Sequence, residues 1–320
     1  MKNRDEINIY WANLCILNRM EGEKMTAYAQ KWAKPKEEFF SPIIHLLGET
    51  AEVDIYQKLE NDIKSGALGF DAIVSTRLDL FYSSNYLQSF KNDFLPLKNR
   101  FKLRPEIEAL GVMDPAGLFL PVVVLPHFII VNTKILNTDA PRSLEDLLKP
   151  EWAGRVLVGP PELPSAKSIL LAVWYLFGDR GLETAVQNWR KKSAPSAARH
   201  SVVKDEAPIA ILPGIFGGAG PDDRIKKIIP LEGSPVLPSF ASVKHSENED
   251  AVIDFLKYSA LSTDFIDFYR SQAFAYPAFQ DVSLPENIDS GLRMIFPSWD
   301  WINKQDFQYF EKVISALKFS

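Results

Sequence analysis

Residues 118–156 read LFLPVVVLPHFIIVNTKILNTDAPRSLEDLLKPEWAGRV, and the order of segments in this stretch decides how the rest of the chain is read. Leu118 to Val131 is the most apolar run, yet it contains Pro121, Pro126 and His127 and falls short of the ~18 residues a membrane span needs. It is expected to form one or two buried strands broken by the prolines. Ser143 and Asp146 stand at capping spacing, and Leu144, Leu147 and Leu148 give the helix they open an apolar face until Pro150 stops it. Arg155 to Val158 then reads as a further strand.

Working outward, the upstream half repeats this alternation. Ile7 to Trp11 suits a buried strand, Glu23 to Lys34 an amphipathic helix ended by Pro35, and Ser41 to Leu47 a second strand closed by Gly48. Val53, Tyr56, Leu59 and Ile63 recur at helical spacing, with Asp54, Lys58, Asp62 and Lys64 on the other face and Gly66 as the stop. Asp71 to Ser75 is a short third strand. A β-α-β order of this kind favours a parallel sheet with crossover helices, an α/β fold. Downstream, Gly159 to Pro164 reads as a loop, Ile169 to Phe177 and Glu183 to Lys191 as helices, and Pro208 to Leu212 as a strand running into the loop that starts at Pro213. Ser246 and Glu249 form a capping box before Val252, Ile253 and Leu256, and helices follow over Thr263 to Ser271 and Asp306 to Leu317.

At 320 residues, with 46% hydrophobic and 24% charged, the chain is a folded globular protein large enough for two lobes. A net charge of -5 gives no overall attraction to nucleic acid. One cysteine excludes an intrachain disulfide, a cysteine zinc cage and an iron–sulfur cluster. His45, His127, His200 and His245 lie in separate segments without an i, i+4 pair, so no histidine metal site is expected. The opening residues, MKNRDEINIY, lack the apolar run of a signal peptide.

The combination of Asn132-Thr133-Lys134, then Pro141-Arg142-Ser143-Leu144-Glu145-Asp146-Leu147-Leu148, then Pro150-Glu151-Trp152-Ala153-Gly154 resembles the type II extracellular solute-binding proteins of ABC importers, in the ferric-iron-binding-protein-like branch. Phe70 to Val74 and Ile253-Asp254-Phe255-Leu256 support the likeness, which covers nearly the whole chain. The resemblance implies a two-lobed periplasmic-binding-protein type II fold with discontinuous lobes joined by two β crossovers. Lobe one is expected at 1–125 and 239–320, including the C-terminal helices, and lobe two at 126–238. A ligand would sit between the lobes, enclosed by hinge closure.

Four loops are implied to meet at that cleft. The first offers Trp11, as an apolar wall or else as core, and Asn13; the second Ser75, Thr76 and Arg77; the third Ser165, Ala166, Lys167 and Ser168; the fourth Pro213, Gly214 and Phe216. His127, beside the crossover, completes the set. Ferric members carry a His, an acid and two adjacent Tyr in these loops, since Fe(III) favours anionic oxygen. Here Leu14, Thr76, Ile215 and Phe216 stand in their places. The third loop, at a helix start, is instead an anion cradle, or else Ser165 is only a helix cap. Arg77 is the candidate for a bidentate contact to a carboxylate or phosphate, or else a solvated charge.

The function this implies is a solute-binding receptor of an ABC importer that captures a small anionic or polar organic ligand and passes it to a membrane permease. It would act as a monomer in the periplasm or cell envelope, with no cofactor, metal, catalytic residue or nucleic acid. Two alternatives remain open: a cleft enzyme of the same fold with Cys15 as nucleophile, and a cytoplasmic ligand sensor, which the missing signal peptide favours.

Overall fold

The computed structural model describes residues 5–13, 17–34, 40–46, 55–66, 68–83, 86–136, 140–216, 223–284 and 291–320. β1 (Asp5–Ala12), α1 (Asn18–Ala33), β2 (Phe40–Leu46), α2 (Ile55–Ser65) and β3 (Ala72–Ser75) form the expected β-α-β-α-β run. Both β2 and β3 pair parallel to β1, from Asp5↔Phe40 to Trp11↔Leu46 on one side and from Ile9↔Ala72 to Ala12↔Ser75 on the other. Ile7, Ile9, Tyr10 and Trp11 are all fully buried, because helices cover both faces of such a sheet. α3 (Leu78–Tyr82) and α4 (Pro105–Leu110) follow.

The apolar run is one strand, β4 (Leu120–Asn132), and all thirteen of its residues are buried. Its prolines do not break it. The register shifts between Pro121 and Val123, and a bulge is a place where a missing N–H costs little. Pro126 stands where the strand changes neighbour: Leu120 to Pro126 pair with β9 (Ser234–Val243), and His127 to Val131 pair with β7 (Ile209–Pro213). The strand order is β2-β1-β3-β9-β4-β7-β5-β6, where β5 is Val156–Val158 and β6 is Arg190–Lys191. β8 (Ile225–Ile228) and β10 (Tyr276–Pro277) also pair with β4, and β11 (Met294–Ile295) pairs with β9. The half built on β1, β2 and β3 thus draws on both ends of the chain, and it is joined to the half built on β5, β6 and β7 along β4 and β9, the two-lobed α/β fold.

Several expectations need correction. β9 carries no clear apolar alternation, since its sequence includes Ser234, Pro235, Pro238, Ser239 and Ser242, yet every residue is buried. Its hydroxyls are satisfied internally, Ser242 Oγ donating to the Leu118 carbonyl at 2.9 Å. The two helices read over 169–177 and 183–191 are halves of α5 (Pro164–Asn188), interrupted at Gly178, whose φ of 65° suits glycine. α6 (Pro195–Val203) lies in a stretch with no assigned element. Ser143 and Asp146 do cap each other, Asp146 N–H donating to Ser143 Oγ at 2.9 Å and Ser143 N–H to Asp146 Oδ2 at 3.2 Å. What they open is only a 3-10 turn, Asp146–Leu148, cut short by Pro150.

α7 (Glu249–Tyr258) and α8 (Thr263–Ala273) pack beside β9, β4 and β10, and α9 (Trp299–Ile302) and α10 (Phe307–Ile314) end the chain. Asn248, not Ser246, is the residue that starts α7. Trp299 packs against Tyr82, Phe119 and Phe240, whereas Trp301 and Phe310 both pack on Trp174 of α5, the latter stacked at 5.3 Å. The last residues therefore touch both halves. Phe240, fully buried among Phe81, Phe119 and Trp299, is a demanding core position. Phe240→Ala is expected to cost about 3–5 kcal/mol in chemical denaturation, and Leu231→Ala, 65% exposed, within about 0.5 kcal/mol of zero.

Candidate functional site

Two helices begin at the same cavity. α5 starts with Pro164 and α6 with Pro195, each at the first helical position after an extended residue, Leu163 or Ala194. Neither start has a side-chain cap; Pro164 and Pro195 carry no N–H and the Ala166 N–H bonds back to the Leu163 carbonyl at 3.1 Å, which leaves the Ser165 N–H of α5, the Ser196 and Ala197 N–H groups of α6 and the positive end of each macrodipole. Both line a cavity of about 470 Å³ between the halves.

Ser165, Ser193 and Ser196 add hydroxyls beside these starts, and Asn13 and Thr76, just past β1 and β3, form the opposite wall. Pro213, Ile215, Phe216 and Leu237 supply apolar surface. Among the described residues lining the cavity, Glu162 is the one charged side chain, and Lys191 Nζ lies 3.6 Å from it. Asn13 is held at both ends of its amide, Nδ2 donating to Tyr269 Oη at 2.7 Å and Oδ1 accepting from Ser239 Oγ at 2.8 Å.

The cavity thus gathers five of the anticipated residues, Asn13, Thr76, Ser165, Pro213 and Phe216. The others are placed elsewhere. Trp11 is fully buried in the core, its Nε1 donating to Glu21 Oε2 at 2.6 Å and its ring edge-on to Phe265. Ser75 is buried, its Oγ donating to the Ala12 carbonyl and accepting from the Arg77 N–H. Arg77 is ion-paired with Asp79, and with Lys167 it lines a separate cavity of about 490 Å³. Burial alone would raise the Asp79 carboxyl, but the Arg77 hydrogen bond and charge, with Lys167 adding, hold it below its ordinary value. Lys167 itself pairs with Glu311 at 2.6 Å.

Ala166 and Ser168 are buried in the first turns of α5, which begins before them, so the expected loop at 165–168 is helix. Ser168 Oγ donates to the Ser165 carbonyl at 2.9 Å. Gly214 is buried, its N–H donating to the Pro126 carbonyl at 2.9 Å; an added Cβ would lie 3.0 Å from Phe274 Cβ. Leu14 and Cys15 lie outside the described residues. Ser193, Ser196 and Glu162 escaped the sequence reading. The signal was Ser193-Ala194-Pro195-Ser196, a serine-flanked proline at a helix start.

His127 does not line this cavity. It is fully buried where β4 changes neighbour, its Nδ1 3.0 Å from the Pro235 carbonyl oxygen. Burial pushes the imidazole down to about 4, against the opposing pull of that hydrogen bond.

The sequence pattern of the bacterial extracellular solute-binding protein family matches residues 70–305. Comparison by sequence with curated proteins gives no match. Among solved structures, the chain is similar to a ferric binding protein from Campylobacter jejuni, with a TM-score of 0.69 at 16% identity over 98% of this chain and 100% of that one. It is also similar to the Trichodesmium protein IdiA (FutA) in complex with iron and citrate ligands, with a TM-score of 0.68 at 15% identity over 98% of both chains. A third is the periplasmic binding protein AfuA from Actinobacillus pleuropneumoniae with fructose-6-phosphate bound, TM-score 0.62 at 15% identity, covering 98% of this chain and 97% of that one. Likeness at these identities establishes the fold.

Two outcomes follow from the donor set. Ferric iron is expected to produce no tyrosinate charge-transfer band in visible spectra, because Thr76, Ile215 and Phe216 offer no anionic oxygen. For His127 the unfolded state binds the extra proton between its ordinary 6.5 and about 4, so its contribution to stability is present above 6.5 and is lost as pH falls to 4. Denaturation at pH 7 and pH 4 is expected to show a loss on the order of 3 kcal/mol larger in the natural protein than in His127→Gln.

Proposed function

The chain belongs to the bacterial extracellular solute-binding protein family, and from that premise we propose a receptor that delivers a small organic anion, a phosphate ester or carboxylate, to an ABC permease. The observation that carries this reading is the convergence of two uncapped helix starts, α5 and α6, on one cavity between the halves. Each macrodipole favours a negative group there by roughly 0.3–1 kcal/mol, rising to ~2 where partly buried. Hydrogen bonds to a charged group contribute about 1.5–3 kcal/mol each. An anion can therefore be held by N–H and O–H groups with no cationic side chain, and the remainder of the ligand rests on Leu163, Ile215, Phe216 and Leu237.

We take the lobe boundaries to be 126 and 238, a reading supported by the change of partner at Pro126–His127, where the hinge would then lie, with aromatic residues of α9 and α10 packing on both halves. Bending there would close the cleft on its ligand. The receptor acts in the periplasm or cell envelope in this reading. Among the described residues no helix is long and apolar enough to cross a membrane.

Calorimetry with sulfate, phosphate, glycerol 3-phosphate and citrate, against glucose and choline, tests the charge preference. At least one anion is expected to bind more tightly than either control. Ser196→Asp puts a carboxylate in the first turn of α6, which favours the helix but repels the ligand, so affinity is expected to fall tenfold or more with thermal stability maintained. Tighter binding of glucose or choline, unaffected by Ser196→Asp, would sink the anion reading.

A further inference from the structure

Behind the lobe-one wall of the cleft lies a buried acid. Glu21, on α1, is fully buried; Trp11 Nε1 donates to its Oε2 at 2.6 Å. The Tyr269 hydroxyl, on α8, faces the same carboxyl. Oε1 has no hydrogen-bond partner of good geometry among the described residues. Burial pushes the acid up to about 7, against the Trp11 hydrogen bond and the nearby Tyr269 hydroxyl, which lower it. Lys24 and Asp264, on the same two helices, pair with each other at 3.5 Å, and Tyr28 donates to Asp264. Tyr269 is thus the titratable group that faces Glu21 among the described residues.

The hydrogen bonds run in one direction from the cleft toward this acid and end at the Tyr269 hydroxyl. Ser239 Oγ donates to Asn13 Oδ1 at 2.8 Å, Asn13 Nδ2 donates to Tyr269 Oη at 2.7 Å, and Tyr269 has a single proton left to give. Its hydroxyl, wholly buried, has the Glu21 carboxyl before it. Aligned bonds of this kind polarise and strengthen one another. The Asn13 amide, with one bond made at each end, keeps one N–H and one acceptor lone pair for the cavity it lines.

We propose that Glu21 is a positioning residue of the ligand cleft: acting through Tyr269 it sets the orientation of the Asn13 amide, and a change in its charge loosens that amide. An ionised carboxylate only accepts, so Tyr269 donates to it and turns its lone pairs to Asn13. A protonated carboxyl carries a proton of its own, which competes with the Asn13 amide for the Tyr269 oxygen. Asn13 in turn presents both a donor and an acceptor, which suits a hydroxyl on the ligand rather than a second charge. The inference rests on reading this cavity as the ligand cleft, and not on the ligand's charge.

The test is nuclear magnetic resonance of the full chain between pH 5 and 9, following the Trp11 indole N–H, assigned with Trp11→Phe, and the Asn13 side-chain amide, assigned with Asn13→Asp. Both signals are expected to shift with one shared midpoint near pH 7. Glu21→Gln should abolish both transitions. Tyr269→Phe, which keeps the ring beside Phe265, should abolish the Asn13 transition and leave that of Trp11. An Asn13 amide that does not titrate, or one that still does so in Tyr269→Phe, overturns the proposal. Sulfate, whose charge is constant over this range, serves as the binding probe: its failure to bind counts against the anion reading, while the two midpoints still decide the role of Glu21.

Discussion

The change of partner along β4 is the constraint on which the molecule depends. One fully buried strand satisfies its backbone against β9 as far as Pro126 and against β7 from His127 onward. An extended backbone in a core must find a partner for each N–H and C=O, and a proline at the exchange point removes one donor from the account. The Pro126 carbonyl finds the Gly214 N–H, at the start of the loop that enters the cleft. The junction between the two halves and the cavity beside it are therefore consequences of one pairing pattern.

From that pattern the cleft obtains its chemistry. Strand ends and helix starts of both halves are brought to the same gap, as expected for open α/β sheets. Lobe two contributes backbone donors at α5 and α6; lobe one contributes Asn13 and Thr76, neutral groups with fixed orientation. Arg77 and Lys167, the two cations expected at the cleft, are committed to Asp79 and Glu311. The cavity lining consequently offers hydrogen-bonding groups and apolar surface, with Glu162 as its charged side chain among the described residues and Lys191 beside it.

Much of this was legible in the sequence. Period-two and helical spacing located β1, β2, β3 and the helices α1, α2, α7 and α8, because those elements are amphipathic or bounded by Pro, Gly and capping serines. β9 was not legible, since a strand buried on both faces needs no alternation and its serines are satisfied by distant partners such as Asn13 and the Leu118 carbonyl. α6 was missed although Pro195 marks its start.

The amino-acid sequence by itself determined the α/β class and the order of most elements, because these follow from local pattern and residue chemistry. Only the tertiary structure decided which polar residues share the cleft. Arg77 and Thr76 are neighbours in the chain, yet one turns to Asp79 and the other to the cavity. Asn13 bonds to Tyr269, more than two hundred residues away in sequence. Contacts of that range are set by how sheets and helices pack, and no local spacing encodes them.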